Sequence, residues 1–194
     1  MVIKPGFSRK KIRPRGKCTK GEAIMAAKKE TEYITHAFEP VFDSHSKILM
    51  LGTMPSPKSR ENGFYYGHPR NRFWMVLADI LKEELPKTID EKKDMLKKNG
   101  IALWDVLESC EIKGASDTSI KNPKANDMND ILFKADIRAI FATGAKAYQL
   151  YEKLCYPKCG VRAVRLPSTS PANCGCSYEK LTEEYGQILE YLDK

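Results

Sequence analysis

Lys47-Ile-Leu-Met-Leu-Gly-Thr-Met-Pro-Ser-Pro-Lys-Ser-Arg-Glu-Asn-Gly-Phe-Tyr-Tyr-Gly-His-Pro-Arg-Asn-Arg-Phe-Trp74 is the stretch on which the fold turns. Its opening apolar run stops at Gly52 and predicts a short strand buried on both faces. Its end starts a helix, because Phe73, Trp74, Leu77, Ile80 and Leu81 recur at helical spacing until Pro86. Between them, from Met54 to about Arg70, lies a polar and aromatic loop. A buried strand, a long loop and an amphipathic helix in succession are the start of a parallel α/β unit.

The pattern repeats outward from this unit. A helix is predicted over Asp90–Asn99 with Gly100 to end it, then a strand over Ile101–Val106. Leu107–Pro123 reads as a second long loop and Asp127–Phe133 as a short helix. Ile137–Thr143 is a third strand closed by Gly144, followed by an amphipathic helix carrying Ala145, Tyr148, Leu150, Tyr151 and Leu154. Val161–Leu166 is a fourth strand, ending in Pro167-Ser-Thr-Ser-Pro-Ala-Asn173. Ser177 then caps a last helix with Tyr178, Leu181, Tyr185, Ile188 and Leu192 on one face. In such sheets ligands bind beyond the carboxyl ends of the strands. That edge gathers Gly52–Arg70, Glu108–Pro123, Gly144 and Ser168–Asn173.

The chain of 194 residues is enough for one domain, and its 42% hydrophobic content is that of an ordinary globular protein. No run approaches the roughly 18 apolar residues of a membrane span, and the start lacks a secretory apolar core, which points to the cytoplasm. The net charge is +8, but residues 1–35 hold ten Lys or Arg against three Glu, leaving only +1 for the rest. We therefore expect a basic, flexible arm over 1–35 and a folded domain over 36–194. Such an arm adds salt-sensitive attraction to phosphates or is a solvated extension. Cys155, Cys159, Cys174 and Cys176 lack a tight Cys-x-x-Cys spacing, so structural or incidental thiols are expected rather than a metal site.

The first loop carries the chemistry. Gly52 and Gly67 allow close backbone approaches, and Phe64, Tyr65 and Tyr66 offer flat faces for a nucleobase. Any one of these aromatics alone would fill a core. Asn71 and Arg72 stand at the mouth of the next helix, whose N-terminal dipole favours anions.

The Gly52-Thr-Met-Pro-Ser and Gly63-Phe-Tyr-Tyr-Gly-His-Pro-Arg-Asn-Arg-Phe-Trp segments resemble the first motif of mismatch-specific uracil-DNA glycosylases. Leu166-Pro-Ser-Thr-Ser-Pro-Ala-Asn173 is similar to the second motif of the uracil-DNA glycosylase superfamily. With Leu103-Trp-Asp-Val-Leu, Gly114-Ala-Ser-Asp-Thr-Ser-Ile and Phe141-Ala-Thr-Gly-Ala-Lys-Ala-Tyr, the whole resembles the hypoxanthine-DNA glycosylase branch, from about residue 36 onward. The resemblance implies a three-layer α/β/α sandwich around a four-stranded parallel sheet. It implies a monofunctional base-excision repair enzyme without metal or organic cofactor, acting as a monomer on DNA containing deaminated bases, in the cytoplasm and at the nucleoid.

Position by position, Met54 falls where several relatives carry a water-orienting Asn or Asp, and a thioether cannot activate water. The resemblance moves the catalytic role to Asn71, gives Tyr66 the stacking on the extruded base, and makes His68 and Pro69 the neighbouring wall. Gly52 and Met54 complete the base-binding set. Ser56, Lys58 and Ser59 with Ser168, Ser170 and Asn173 are the candidate phosphate contacts, since such groups position DNA without reading sequence. A damaged base must leave the stack at a cost of a few kcal/mol, and glycosidic cleavage then separates charge between sugar and base.

Other groups stay open at this level. Asp105 and Asp117 reach the pocket or serve caps and turns. Lys58 is a phosphate contact or, less in keeping with its setting, an attacking amine. His68 donates to a purine N7 or O6 or packs beside Pro69, while His36 and His45 have no supporting neighbours. The rival functions are a uracil- or xanthine-preferring glycosylase, a DNA-binding module without catalysis, and a small-nucleotide hydrolase. The last lacks any Gly-x-x-x-x-Gly-Lys-Ser/Thr loop.

Overall fold

The computed structural model describes residues 30–192. Strands β1 (Glu32–Thr35), β2 (Ile48–Gly52), β3 (Ile101–Asp105), β4 (Leu107–Ile112), β5 (Lys121–Ala125), β6 (Ala139–Thr143) and β7 (Ala163–Leu166) form two sheets. Helices are α1 (Pro57–Asn62), α2 (Phe73–Leu81), α3 (Ile89–Lys98), α4 (Asn129–Leu132), α5 (Ala145–Leu154), α6 (Tyr156–Cys159) and α7 (Tyr178–Gly186).

The main sheet is parallel with order β3-β2-β6-β7. Every residue of β2, β3 and β6 is buried, so both faces of this sheet are covered by other layers. Helix α5 lies on β6 and β7, α3 packs on β3, and α2 packs against α7. This is the expected α/β/α sandwich with a central four-stranded parallel sheet. Helix α3 begins at a reciprocal capping box between Thr88 and Glu91, which satisfies first-turn N–H groups. No described helix is long and apolar enough to cross a membrane.

The second sheet, of order β1-β4-β5, is antiparallel and lies where a loop is predicted. Sequence periodicity misses it because β4 interleaves Glu and Ser with its apolar residues. The edge strand β5, Lys-Asn-Pro-Lys-Ala, has almost no apolar content and contains a proline. Pairing makes these segments strands, not propensity. Strand β1 moves the start of the folded part to Glu32, ahead of the His36 boundary, since Thr35 pairs with Ser109 and the His36 N–H donates to Glu108 O at 2.6 Å. The remainder of the expected arm lies outside the described residues apart from Glu30 and Thr31.

Only Val106 separates β3 from β4, so the chain passes directly from one sheet into the other. Val106 N–H and Leu107 N–H donate to Gly52 O and Thr53 O at 2.8 and 3.1 Å, clamping the end of β2 to this junction.

Candidate active site

The carboxyl ends of β2, β3, β6 and β7 open into a cleft of about 1110 Å³. Gly52, Met54, Ser56, Ser59, Tyr66, His68, Asn71, Ser168, Ser170 and Asn173 all line it, as do Asp105, Asp117 and Thr143. Lys58 and Pro69, also expected at the site, are outside the lining; Lys58 is exposed on α1 and paired with Glu61.

The three adjacent aromatics divide their work. Phe64 and Tyr65 are buried in the core, and Tyr65 O accepts the indole N–H of Trp74 at 3.1 Å. Tyr66 turns the other way, with φ of 52°, a left-handed backbone that a non-glycine residue adopts only under constraint. The constraint comes from Gly67, whose N–H donates to Ser59 Oγ and whose Cβ, were there one, would stand 3.1 Å from Phe64 O.

One face of the Tyr66 ring stacks on Phe73 at 3.8 Å and 9°. Thr143 Oγ1 donates to Leu51 O at 3.1 Å, so the Tyr66 hydroxyl donates to Thr143 Oγ1 at 2.8 Å. Burial holds the phenol well above its ordinary pKa, with the Asp105 charge adding to the effect. The ring is thus a fixed, neutral plate.

Asn71 Oδ1 accepts the Phe73 N–H at 2.9 Å, serving one of the unpaired N–H groups at the start of α2. Its Nδ2 amide is left as a donor at the cleft. His68 Nδ1 accepts the Arg70 N–H at 3.1 Å, so the hydrogen of this imidazole sits on Nε2. Both polar groups beside Tyr66 therefore present N–H bonds.

The loop after β7 is built on its own hydroxyls. Ser168 Oγ and Ser170 Oγ accept the N–H groups of Ser170 and Ala172, and Asn173 Nδ2 donates to Ser168 O at 2.8 Å. Each serine keeps its O–H for an outside acceptor. Ser56 caps α1 by accepting the Ser59 N–H. The expectation for Ser59 needs correction: it is 3% exposed, and its hydroxyl pairs with Ser56 Oγ at 3.0 Å besides accepting from Gly67. It shapes the loop, and the bonds its hydroxyl makes are to Ser56 and Gly67 within the protein.

Arg72 has a different part from the anion contact expected at a helix mouth. Its guanidinium donates to Cys176 O at 2.6 Å, Asn173 O at 3.0 Å and Ser170 O at 3.5 Å, and its N–H reaches Thr169 O. One side chain from the first motif thus holds the second. Arg72→Ala is expected to cost on the order of 3 kcal/mol in denaturant unfolding. Arg72→Lys recovers little of it, because an ammonium cannot reproduce the planar fork across several carbonyls.

Two carboxyls face this space. Asp117 accepts the Thr53 hydroxyl at 3.2 Å. Its residue keeps solvent contact, yet the local desolvation of its carboxyl pushes its pKa up; the Thr53 bond opposes this and Asp105 adds to it. Asp105 is bonded to His36 at 2.9 Å across 69 residues of sequence, a pairing that no local pattern announces. His36, without neighbours in sequence, has one in space.

Among the described residues no group of three or more His, Cys, Asp or Glu is arranged to hold a metal ion. Cys110, Cys155, Cys159, Cys174 and Cys176 are free thiols, and burial raises the Cys155 pKa to about 12.

Residues 39–193 match the family model of the uracil DNA glycosylase superfamily. Two relatives called hypoxanthine DNA glycosylase are similar over most of their length. The one from Methanosarcina barkeri is 34% identical over 70% of this chain and 86% of its own. The one from Methanosarcina acetivorans is 36% identical over 72% and 89%. A solution NMR structure of a Methanosarcina acetivorans protein assigned to the uracil DNA glycosylases superposes with a TM-score of 0.69. It is 30% identical and covers 81% of this chain and 99% of that one. With this fold and this cleft, the chain belongs to the uracil DNA glycosylase superfamily.

Proposed function

We propose that the protein is a monofunctional DNA repair glycosylase, active as a monomer in the cytoplasm, that removes hypoxanthine from DNA. The observation that carries this reading is the half-covered Tyr66 ring. Phe73 occupies one face, and Tyr66 lines a cleft large enough for a nucleoside. Stacking of an everted base on such a plate is worth about 1–3 kcal/mol, which offsets much of the cost of leaving the duplex.

The chemistry follows from which groups are committed. Asn71 Oδ1 is occupied by Phe73 N–H, and Met54 carries no acceptor strong enough to take a proton from water. The site therefore favours loss of the base before full attack, with charge growing on the departing ring. The Nδ2–H of Asn71 and the Nε2–H of His68 are donors of the kind that stabilise negative charge at a purine O6 or N7. Water then adds to the oxocarbenium-like sugar, and the proton it loses neutralises the departed base anion. The free O–H groups of Ser168 and Ser170 and the Ser56 hydroxyl suit the flanking phosphates, with exposed Lys58 adding charge from outside the cleft.

A single-turnover excision panel tests this, with hypoxanthine, uracil or xanthine at one position of otherwise identical duplexes. Hypoxanthine is expected to be released fastest. Preference for uracil would move the assignment within the superfamily, and inactivity on all three would leave a DNA-binding protein without catalysis.

A further inference from the structure

Water that adds to the sugar must give up a hydrogen, and the groups beside Tyr66 are in no position to take it. Asn71 Oδ1 already accepts the Phe73 N–H and His68 Nδ1 the Arg70 N–H, so both side chains meet the cleft as donors. Asp105 is 4% exposed and bonded to His36. Glu184 lines the cleft from α7, one turn beyond Lys180.

Asp117 differs from all of these. It is exposed, lines the cleft, and accepts the Thr53 hydroxyl through Oδ2 at 3.2 Å. Its Oδ1 has no hydrogen-bond partner among the described residues. The hairpin between β4 and β5 brings the carboxyl there. Gly114 turns the chain at φ of 59°, and Ser119 Oγ accepts the Lys113 N–H at 2.8 Å while donating to Ser116 O at 2.7 Å. This staple folds the tip so that Ala115, Ser116, Asp117 and Thr118 line the cleft together. Thr53 is fixed in turn, because its carbonyl accepts the Leu107 N–H at 3.1 Å. The carboxyl is thus anchored by one oxygen and free at the other.

Its charged surroundings come from three strands and a helix. Desolvation raises the Asp117 pKa most; the Thr53 bond after β2 lowers it, Asp105 of β3 raises it and Lys146 of α5 lowers it. Cys110 of β4 senses the same charge, and burial first of all raises its own pKa, which keeps it a thiol. A raised pKa makes a carboxylate a stronger proton acceptor.

We propose that Asp117 is a further catalytic residue of this cleft, whose free Oδ1 takes the proton from the water that adds to the sugar. The electron pair of the broken glycosidic bond leaves with the base. As the water oxygen bonds to the sugar carbon, its O–H bond breaks and the proton passes to Oδ1, then to the departed base anion. The products are the free base and a sugar hydroxyl, and the carboxylate is restored. Before that step its negative charge favours the cationic sugar. Both effects help capture by water to outrun return of the base. The inference rests on the glycosylase reading of this cleft.

Single-turnover excision of hypoxanthine at saturating enzyme, followed against pH, tests it with wild type, Asp117→Asn, Asp117→Ala and Glu184→Gln. The wild-type rate should rise with pH through a pKa above the ordinary carboxylate range, since only the ionised form accepts a proton. Asp117→Asn should be at least about 100-fold slower and should lack this rise, whereas Glu184→Gln keeps the wild-type rate. Added formate, a small carboxylate, should speed Asp117→Ala by at least about 10-fold over chloride at the same ionic strength. Asp117→Asn retains an oxygen for Thr53 and should bind a duplex carrying cleavage-resistant 2′-fluoro-deoxyinosine as wild type does. Wild-type excision by Asp117→Asn overturns the proposal, as does a loss of rate matched by an equal loss of binding. A rise with pH that survives in Asp117→Asn belongs to the Asp105–His36 pair and overturns it too. If the variants do not fold, the wild-type profile stands alone, and a rate flat down to the carboxylate range overturns the proposal. A wild type that releases no deaminated base at all sinks the glycosylase reading itself, which distinguishes the two failures.

Discussion

Asn71→Ala is expected to slow single-turnover excision by on the order of 10²–10³-fold, the usual cost of removing one fixed donor to a developing negative charge. The same substitution also deletes the acceptor for Phe73 N–H, so it should cost about 1 kcal/mol of stability. Asn71→Asp separates the two effects. An aspartate keeps an oxygen for the Phe73 N–H, and its charge suits the start of α2. It has no N–H to give. We expect Asn71→Asp to unfold at or above the wild-type denaturant midpoint and yet to be as slow as Asn71→Ala. Near-wild-type excision by Asn71→Asp would mean that the amide hydrogen has no part in the reaction.

The second large effect comes from a single methyl group. In Gly52→Ala the new Cβ would lie 2.2 Å from Asp105 Oδ1 and 3.2 Å from the Tyr66 hydroxyl. The backbone cannot retreat, because Gly52 ends the buried strand β2 and is bonded on to the β3–β4 junction. The carboxylate must swing away and lose the 2.9 Å bond from His36. We expect a destabilisation of about 3 kcal/mol and an excision rate reduced by at least about 100-fold. Adding Asp105→Ala should recover much of the stability. Such non-additivity is the signature of two groups competing for one space, and denaturant unfolding of the two single variants and the double variant measures it. Fully additive losses would show that the two positions do not collide.

The main sheet was legible because β2, β3 and β6 are continuous apolar runs and end at loops rich in glycine, proline and serine. The predicted helices follow, with α3 and α7 starting at the residues their caps require. The smaller sheet was not legible, since β1, β4 and β5 have no apolar stripe and exist through pairing with one another. At the site, Tyr66, His68 and Asn71 were legible as a contiguous motif, and the structure gathers them around one cleft. The division of labour among Phe64, Tyr65 and Tyr66 was not, because it depends on a left-handed backbone at Tyr66. Nor were the long-range partnerships, His36 with Asp105 and Arg72 with the carbonyls of Ser170, Asn173 and Cys176. Such bonds depend on chain topology, as does the engagement of the Ser59 hydroxyl, one of the candidate phosphate contacts, by Ser56 and Gly67.

The passage of the chain from β3 into β4 through Val106 alone has a consequence for how this pocket can evolve. Asp105 has no slack: a slip of one residue would present Trp104 or Val106 at its place and would undo the register on both sheets together. Gradual drift of this cleft-lining carboxyl along the strand is therefore closed to the lineage. New substrates would have to be reached by exchanging the side chain outright or by remodelling the freer serine-rich rim, so that the floor changes in jumps and the rim by degrees.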